Sequence, residues 1–144
     1  MNKIAIVYWS GTGNTEAMAK AIEEGVKEAG AEASVFTPGE FDSSKIPEFD
    51  AIAFGCPAMG AEVLEETEFD PMFTALESDL KDKKIALFGS YGWGDGQWMR
   101  DWEARCKAIG ADLVSEGVIA NDAPGDAETA ACKEIGRASC RERV

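Results

Sequence analysis

Short strand-like runs at 4–9, 51–55 and 85–90, apolar throughout but for the final Ser90, constrain this chain more than anything else in it. A strand that is apolar at every position, and not only every second one, must be covered on both faces, as in a parallel sheet with helices packed on each side. Helix-period segments lie between the runs. Met18, Ile22, Val26 and Ala29 form one stripe that stops at Gly30, while Trp98, Trp102, Cys106 and Ile109 form another that closes at Gly110. Cys106 therefore reads as core, not as a reactive thiol. A weaker second strand is expected at 33–37 and a fifth strand at 113–120, with an irregular crossover at 38–48, a helix over 71–80 with Pro71 in its first turn, and a last helix from 126 to about 135. The expected fold class is α/β, a three-layer doubly wound sheet of five parallel strands in one domain.

Composition removes several functions. Cys56, Cys106, Cys132 and Cys140 include no Cys-x-x-Cys pair, and the chain has no histidine to complete a zinc or iron site or a nucleophile pair. No metal and no side-chain catalysis are expected, so the chemistry belongs to a cofactor. Twenty-seven acidic against fourteen basic residues, a net charge of −13, disfavour nucleic acid and anionic membranes as partners. No apolar run approaches the ~18 residues of a membrane span, and the N-terminus lacks a secretory signal, so the chain reads as soluble and cytoplasmic.

In a doubly wound sheet, ligands gather beyond the carboxyl ends of the strands where the winding reverses. Three unusual segments leave strands 1, 3 and 4 at that edge. The first, Ser10-Gly11-Thr12-Gly13-Asn14-Thr15, sets small polar residues and glycines before a helix N-terminus, whose amides and dipole favour an anion. A dinucleotide fingerprint would need glycine where Glu16 stands, and a triphosphate loop a Gly-Lys-Ser/Thr ending. With no Lys or Arg in the loop, its guest is one terminal monophosphate held by dipoles. The segment 89–96 surrounds Trp93 with Gly89, Gly92, Gly94 and Gly96, where backbone can approach a flat ligand and the ring can stack on it. A lone loop aromatic is usually incidental, but paired with the phosphate loop Trp93 reads as a stacking residue. In the segment 56–62, Met59-Gly60-Ala61-Glu62 reads as a tight turn, with Met59 either core filler or a ligand contact on pattern alone.

Together, Tyr8-Trp9-Ser10-Gly11-Thr12-Gly13-Asn14-Thr15, Gly55-Cys56-Pro57-Ala58-Met59-Gly60 and Gly89-Ser90-Tyr91-Gly92-Trp93-Gly94 resemble a short-chain flavodoxin of the type found in fermentative anaerobic bacteria. The resemblance runs from about residue 3 to Gly136. It implies strand order 2-1-3-4-5 and one non-covalent flavin mononucleotide (FMN), with the function of a low-potential one-electron carrier. Ser10, Thr12, Asn14 and Thr15, with amides of Gly11 and Gly13, would bind the phosphate. Trp93 would stack on the outer ring face and Met59 on the inner, with Trp9, Pro57, Ala58, Ser90, Tyr91, Gly94 and Asp95 lining the site. Glu62 would accept from flavin N3–H, backbone near Gly92 would face N1 and O2, and the Gly60 carbonyl would turn toward N5–H. Ala61 departs from the polar residue expected after Gly60. The partners implied are redox proteins with basic docking patches, reductases and low-potential acceptors, met transiently by a monomer.

Glu62, Glu65, Glu66, Glu68 and Asp70 follow the flavin turn as an acidic run. At an assumed ~10 Å and dielectric near 60, each opposes the second electron by ~0.5 kcal/mol, and five together by ~2 to 3 kcal/mol, roughly 100 mV. The rival on the same fold, an FMN-dependent NAD(P)H:quinone reductase, lacks an insertion large enough for a nicotinamide or quinone pocket. A phosphoacceptor receiver would need acidic residues after strand 1, Asp after strand 3 and Lys after strand 4, where Ser10, Cys56 and Ser90-Tyr91 stand. The resemblance implies an Ala-rich amphipathic finish, whereas 137–144 holds three arginines and almost no apolar stripe. Residues 1–136 are read as the FMN-binding domain and 137–144 as an atypical tail; without the tail's three arginines and one glutamate the net charge is −15.

Overall fold

The computed structural model describes residues 3–11, 13–59, 63–92 and 94–140. Its elements are β1 (Lys3–Tyr8), α1 (Asn14–Glu28), β2 (Glu32–Phe36), β3 (Ala51–Gly55), α2 (Phe69–Leu76), β4 (Lys84–Tyr91), α3 (Gln97–Ala108), β5 (Asp112–Leu113), β6 (Val118–Asn121) and α4 (Asp126–Ser139). The sheet order is β2-β1-β3-β4-β5 with β6 also on β4, every strand pair is parallel, and the crossover over 38–48 is two short 3-10 turns.

Side chains alternate across a strand, so a strand apolar at every position feeds two cores. Ile4, Ile6, Ala51, Ala53, Ala86 and Phe88 share one core with α1 and α4, whereas Ala5, Val7, Ile52, Phe54, Ile85 and Leu87 share the other with α2 and α3. The second core is aromatic: Phe54 meets Phe73 edge to face at 5.1 Å, and Trp102 meets Phe69 at 5.5 Å. Cys106 is fully buried there, as expected. Among the described residues no helix is long and apolar enough to cross a membrane.

Three boundaries differ from the sequence reading. The fifth strand is interrupted, since between the pairs Ile85↔Leu113 and Phe88↔Val118 two residues of β4 face the four residues 114–117. The Glu103 carboxylate takes the Gly117 amide at 2.7 Å, and a Cβ at Gly117 would lie 2.4 Å from the Met99 sulfur. Side-chain capture of the backbone thus replaces the ladder there. Helix α2 begins two residues before Pro71 and gives way to a 3-10 turn at Glu77–Asp79. Helix α4 runs past Ile135 to Ser139, because Gly136 packs against α1 instead of ending the helix. Arg137 pairs with Glu28 at 2.6 Å and Ser139 is buried, so the first residues of the expected tail are docked; 141–144 lie outside the described residues.

Candidate functional site

The loops after β1, β3 and β4 surround a cleft of about 220 Å³. Trp9 and Gly11 of the first loop and Asn14 at the start of α1 line it, with Pro57, Ala58 and Met59 from the second loop, and Ser90 and Tyr91 at the end of β4 with Gly92 after it. Asp122, just after β6, closes the ring. Sequence reading missed Asp122 because it looked only beyond strands 1, 3 and 4. The available signal was the turn composition Asn121-Asp122-Ala123-Pro124-Gly125, and Asp122 does adopt a left-handed φ of 57°.

The phosphate loop enters α1 through Gly13 at φ 94°, a conformation that suits glycine. Ser10 Oγ accepts from the amides of Gly13 (3.1 Å) and Glu16 (3.3 Å), which folds the loop over the helix end. Thr15 is buried, with its hydroxyl 3.1 Å from Ser90 Oγ and accepting the Ser90 amide at 3.4 Å, tying this loop to β4. The hydroxyls of Ser10 and Thr15 are thus engaged within the protein, and neither residue lines the cleft. The first-turn amides of Asn14 and Thr15 find no partner among the described residues, as an anion cradle requires. Thr12 lies outside the described residues.

In the second loop Met59 and Val63 exchange backbone hydrogen bonds (2.8 and 3.2 Å), so the described residues close the loop at Val63, one residue later than the expected turn. Gly60, Ala61 and Glu62, and with them the flipping carbonyl and the N3 contact, lie outside the described residues. Cys56 is fully buried, and burial pushes its thiol up to about 12, which leaves it unreactive. Beyond the loop, the Glu65 carboxylate accepts from the amides of Thr67 (2.9 Å), Glu68 (2.7 Å) and Phe69 (2.9 Å) and from the Thr67 hydroxyl, capping α2. Burial disfavours the charge on Glu65, but these bonds outweigh it and hold the carboxyl at about 2.

The acidic run is therefore less open than its sequence suggests. Asp70 pairs with Arg105 at 2.9 Å, and Arg105 also grips Glu77 at 2.7 Å and lies 4.9 Å over the Phe73 ring. Glu68 accepts from Trp9 Nε1 at 2.8 Å. With Glu65 serving as a cap and Asp70 neutralised, the described members whose charge faces solvent are Glu66 and Glu68.

At β4 the backbone comes so close to the second loop that a Cβ on Gly89 would lie 2.2 Å from the Cys56 carbonyl oxygen. Ala58 donates its amide to the Ser90 carbonyl at 3.0 Å, joining the two loops. Gly94 and Asp95 are exposed and do not line the cleft; Asp95 pairs instead with Arg100 at 3.0 Å. Trp93 lies outside the described residues. Open first-turn amides beside apolar and aromatic walls from Trp9, Pro57, Met59 and Tyr91 fit a flat ring system carrying one phosphate.

The flavodoxin family model matches residues 6–136. The chain belongs to the flavodoxin family. It is 46% identical over 138 residues to the flavodoxin of Megasphaera elsdenii, covering 96% of this chain and 98% of that protein. To the flavodoxin of Clostridium beijerinckii it is 45% identical over 132 residues, covering 92% and 95%. The solution structure of two-electron reduced Megasphaera elsdenii flavodoxin superposes with a TM-score of 0.87 at 47% identity, over 94% of this chain and 97% of that one. Flavodoxins bind FMN and carry electrons without being stand-alone enzymes, and this flavodoxin resembles those of fermentative anaerobes, as its three motifs imply.

Proposed function

We propose that this flavodoxin is a low-potential, one-electron carrier that holds FMN non-covalently in the cleft and works as a cytoplasmic monomer between redox proteins with basic docking patches. What supports the reading is the convergence of three loops on one cleft that joins open helix amides to aromatic walls. FMN supplies the one-electron chemistry. The amides and side chain of the Gly11–Asn14 region hold the phosphate, while Ser10 and Thr15 keep that loop in shape through their hydrogen bonds. Trp9, Met59 and Tyr91 exclude water from the ring. Thr12, Gly60, Glu62 and Trp93 take the roles that the family resemblance assigns them, and the cofactor-binding domain is 1–136, with 137–139 continuing its last helix.

Low potential follows from charge on this chain's own residues. Glu66, Glu68 and the cleft-lining Asp122 oppose negative charge arriving in the cleft, by about 0.5 kcal/mol each at an assumed ~10 Å. Together, for these described residues alone, that is about 1.5 kcal/mol, or roughly 60 mV for one electron. The buried thiols of Cys56, Cys106 and Cys132, none of them in a disulfide, suit a reducing compartment.

The test is to add FMN to the apoprotein and follow electron transfer from the reduced protein to a basic acceptor protein. One FMN per chain should bind, and exchange should slow several-fold from 0.01 to 0.15 M salt, as the screening length falls from about 30 to 8 Å. Failure to bind FMN overturns the reading, and rates independent of salt remove the acidic surface from partner selection.

A further inference from the structure

The geometry points to Glu68 as a positioning residue for cofactor binding, acting through Trp9, which it joins across the gap between the two cofactor loops. Trp9 is fixed at its backbone by its amide on the Gly55 carbonyl at 3.0 Å. Its ring lies against Gly11, where a Cβ would approach the indole to 3.1 Å, so the ring supports the phosphate loop and lines the cofactor cleft at once. Away from that cleft the ring borders a second one, of about 280 Å³, shared with Glu16, Thr37, Pro38 and Glu68. Packing therefore does not fix the indole on that side. The bond from Trp9 Nε1 to Glu68 at 2.8 Å does.

Glu68 is itself held in place. Its amide donates to the Glu65 carboxylate at 2.7 Å, and the Glu65 amide donates to Cys56 Sγ at 3.3 Å, at the end of β3. A continuous strut thus runs from β3 through Glu65 and Glu68 to the indole beneath the phosphate loop, crossing the stem of the Met59–Val63 loop. Its last joint is a charge-assisted hydrogen bond between an exposed carboxylate and a half-buried indole that also packs against the aromatic core, a class whose net worth is modest but whose loss loosens one side of a large ring next to the ligand. Ordering that ring must then be done when FMN binds, and affinity falls accordingly.

The inference rests on FMN being the cleft's ligand. Charge and hydrogen bonding separate cleanly at Glu68, because Glu68→Gln and Glu68→Ala remove the same negative charge while only glutamine keeps an oxygen to accept from the indole. FMN affinity of the apoproteins is read by quenching of flavin fluorescence, with thermal melts of the same apoproteins as a check on folding. The alanine variant should bind FMN about two- to tenfold more weakly than the glutamine variant. In a Trp9→Phe background, which lacks the N–H, the two should bind alike. Equal affinities in the native background overturn the proposal. So does a gap that survives in the Trp9→Phe background, or one matched by an equal loss of apoprotein stability. A parent chain that binds no FMN overturns the functional reading and this inference with it, whereas a parent that binds while Glu68→Ala matches Glu68→Gln overturns the inference alone.

Discussion

Replacing Glu65 with alanine is expected to lower folding stability by about 2 to 4 kcal/mol, although the residue sits in a run that reads as ordinary solvated surface. Three consecutive amides leading into α2, those of Thr67, Glu68 and Phe69, and the Thr67 hydroxyl converge on its carboxylate, inside a residue only 5% exposed. Alanine would leave those amides to water at best, and would remove a negative charge from a helix N-terminus, where the dipole favours one. For a chain of this size about 3 °C per kcal/mol gives a fall in melting temperature of about 6 to 12 °C. The pH dependence has a definite sign. The carboxyl is held at about 2 in the folded protein, below its ordinary value near 4.5, so its contribution is complete above that ordinary value. It is lost as pH falls from about 4.5 toward 2. The parent should therefore shed stability in that window faster than Glu65→Gln, which has no such proton to take up. A Glu65→Ala protein melting within about 2 °C of the parent, or acid limbs that coincide, would show that the cap carries no weight.

The sheet was legible because burial on both faces writes itself into consecutive positions of 4–7, 51–55 and 85–89, and no surface strand needs that composition. The phosphate loop was legible for a related reason: glycines and small polar residues at a strand-to-helix joint serve few other ends. Glu65 was not, because Glu65-Glu66-Thr67-Glu68 looks the same whether a carboxylate points to water or turns back on the helix, and only the path of the chain from Cys56 decides. The neutralising partner of Asp70 lies thirty-five residues away on α3, a distance no local pattern spans. The break in the fifth strand was hidden likewise, since residues 113–120 have strand composition and the group that captures the Gly117 amide comes from Glu103. Asp122 went unnoticed because the turn that presents it follows the interrupted strand, at an edge where no phosphate or stacking motif drew attention.

The opposing helix pair gives the second large expected effect, and here local propensity and packing predict opposite signs. Gly25 lies within α1, where alanine would favour the helix by about 1 kcal/mol. A Cβ at Gly25 would, however, lie 2.1 Å from the Lys133 carbonyl oxygen, and one at Gly136 would lie 2.4 Å from that of Ile22. Both obstacles are backbone, so relief requires moving α4 bodily away from α1, with loss of contact around Ile22, Val26, Cys132 and Ile135, all buried. Overpacking of this kind costs typically 1 to 3 kcal/mol and more where backbone must shift, which outweighs the propensity gain. The ion pairs that bridge the helices, Lys133 with Glu24 at 3.3 Å and Arg137 with Glu28 at 2.6 Å, are exposed and would add little either way. Gly25→Ala should therefore be destabilised by about 1 to 3 kcal/mol in thermal or denaturant unfolding, and Gly136→Ala by a similar amount. Once one substitution has displaced the helix, the second meets a wider gap, so the double variant should lose less than the two singles combined. FMN affinity should change less than stability, because the phosphate cradle lies about 16 Å down the helix from Gly25. A Gly25→Ala protein as stable as its parent, or more so, would mean that α4 does not cross α1 at this point. Since Gly136 is also where the family match ends, the docking of residues 137–140 against the sheet would then lose its main support.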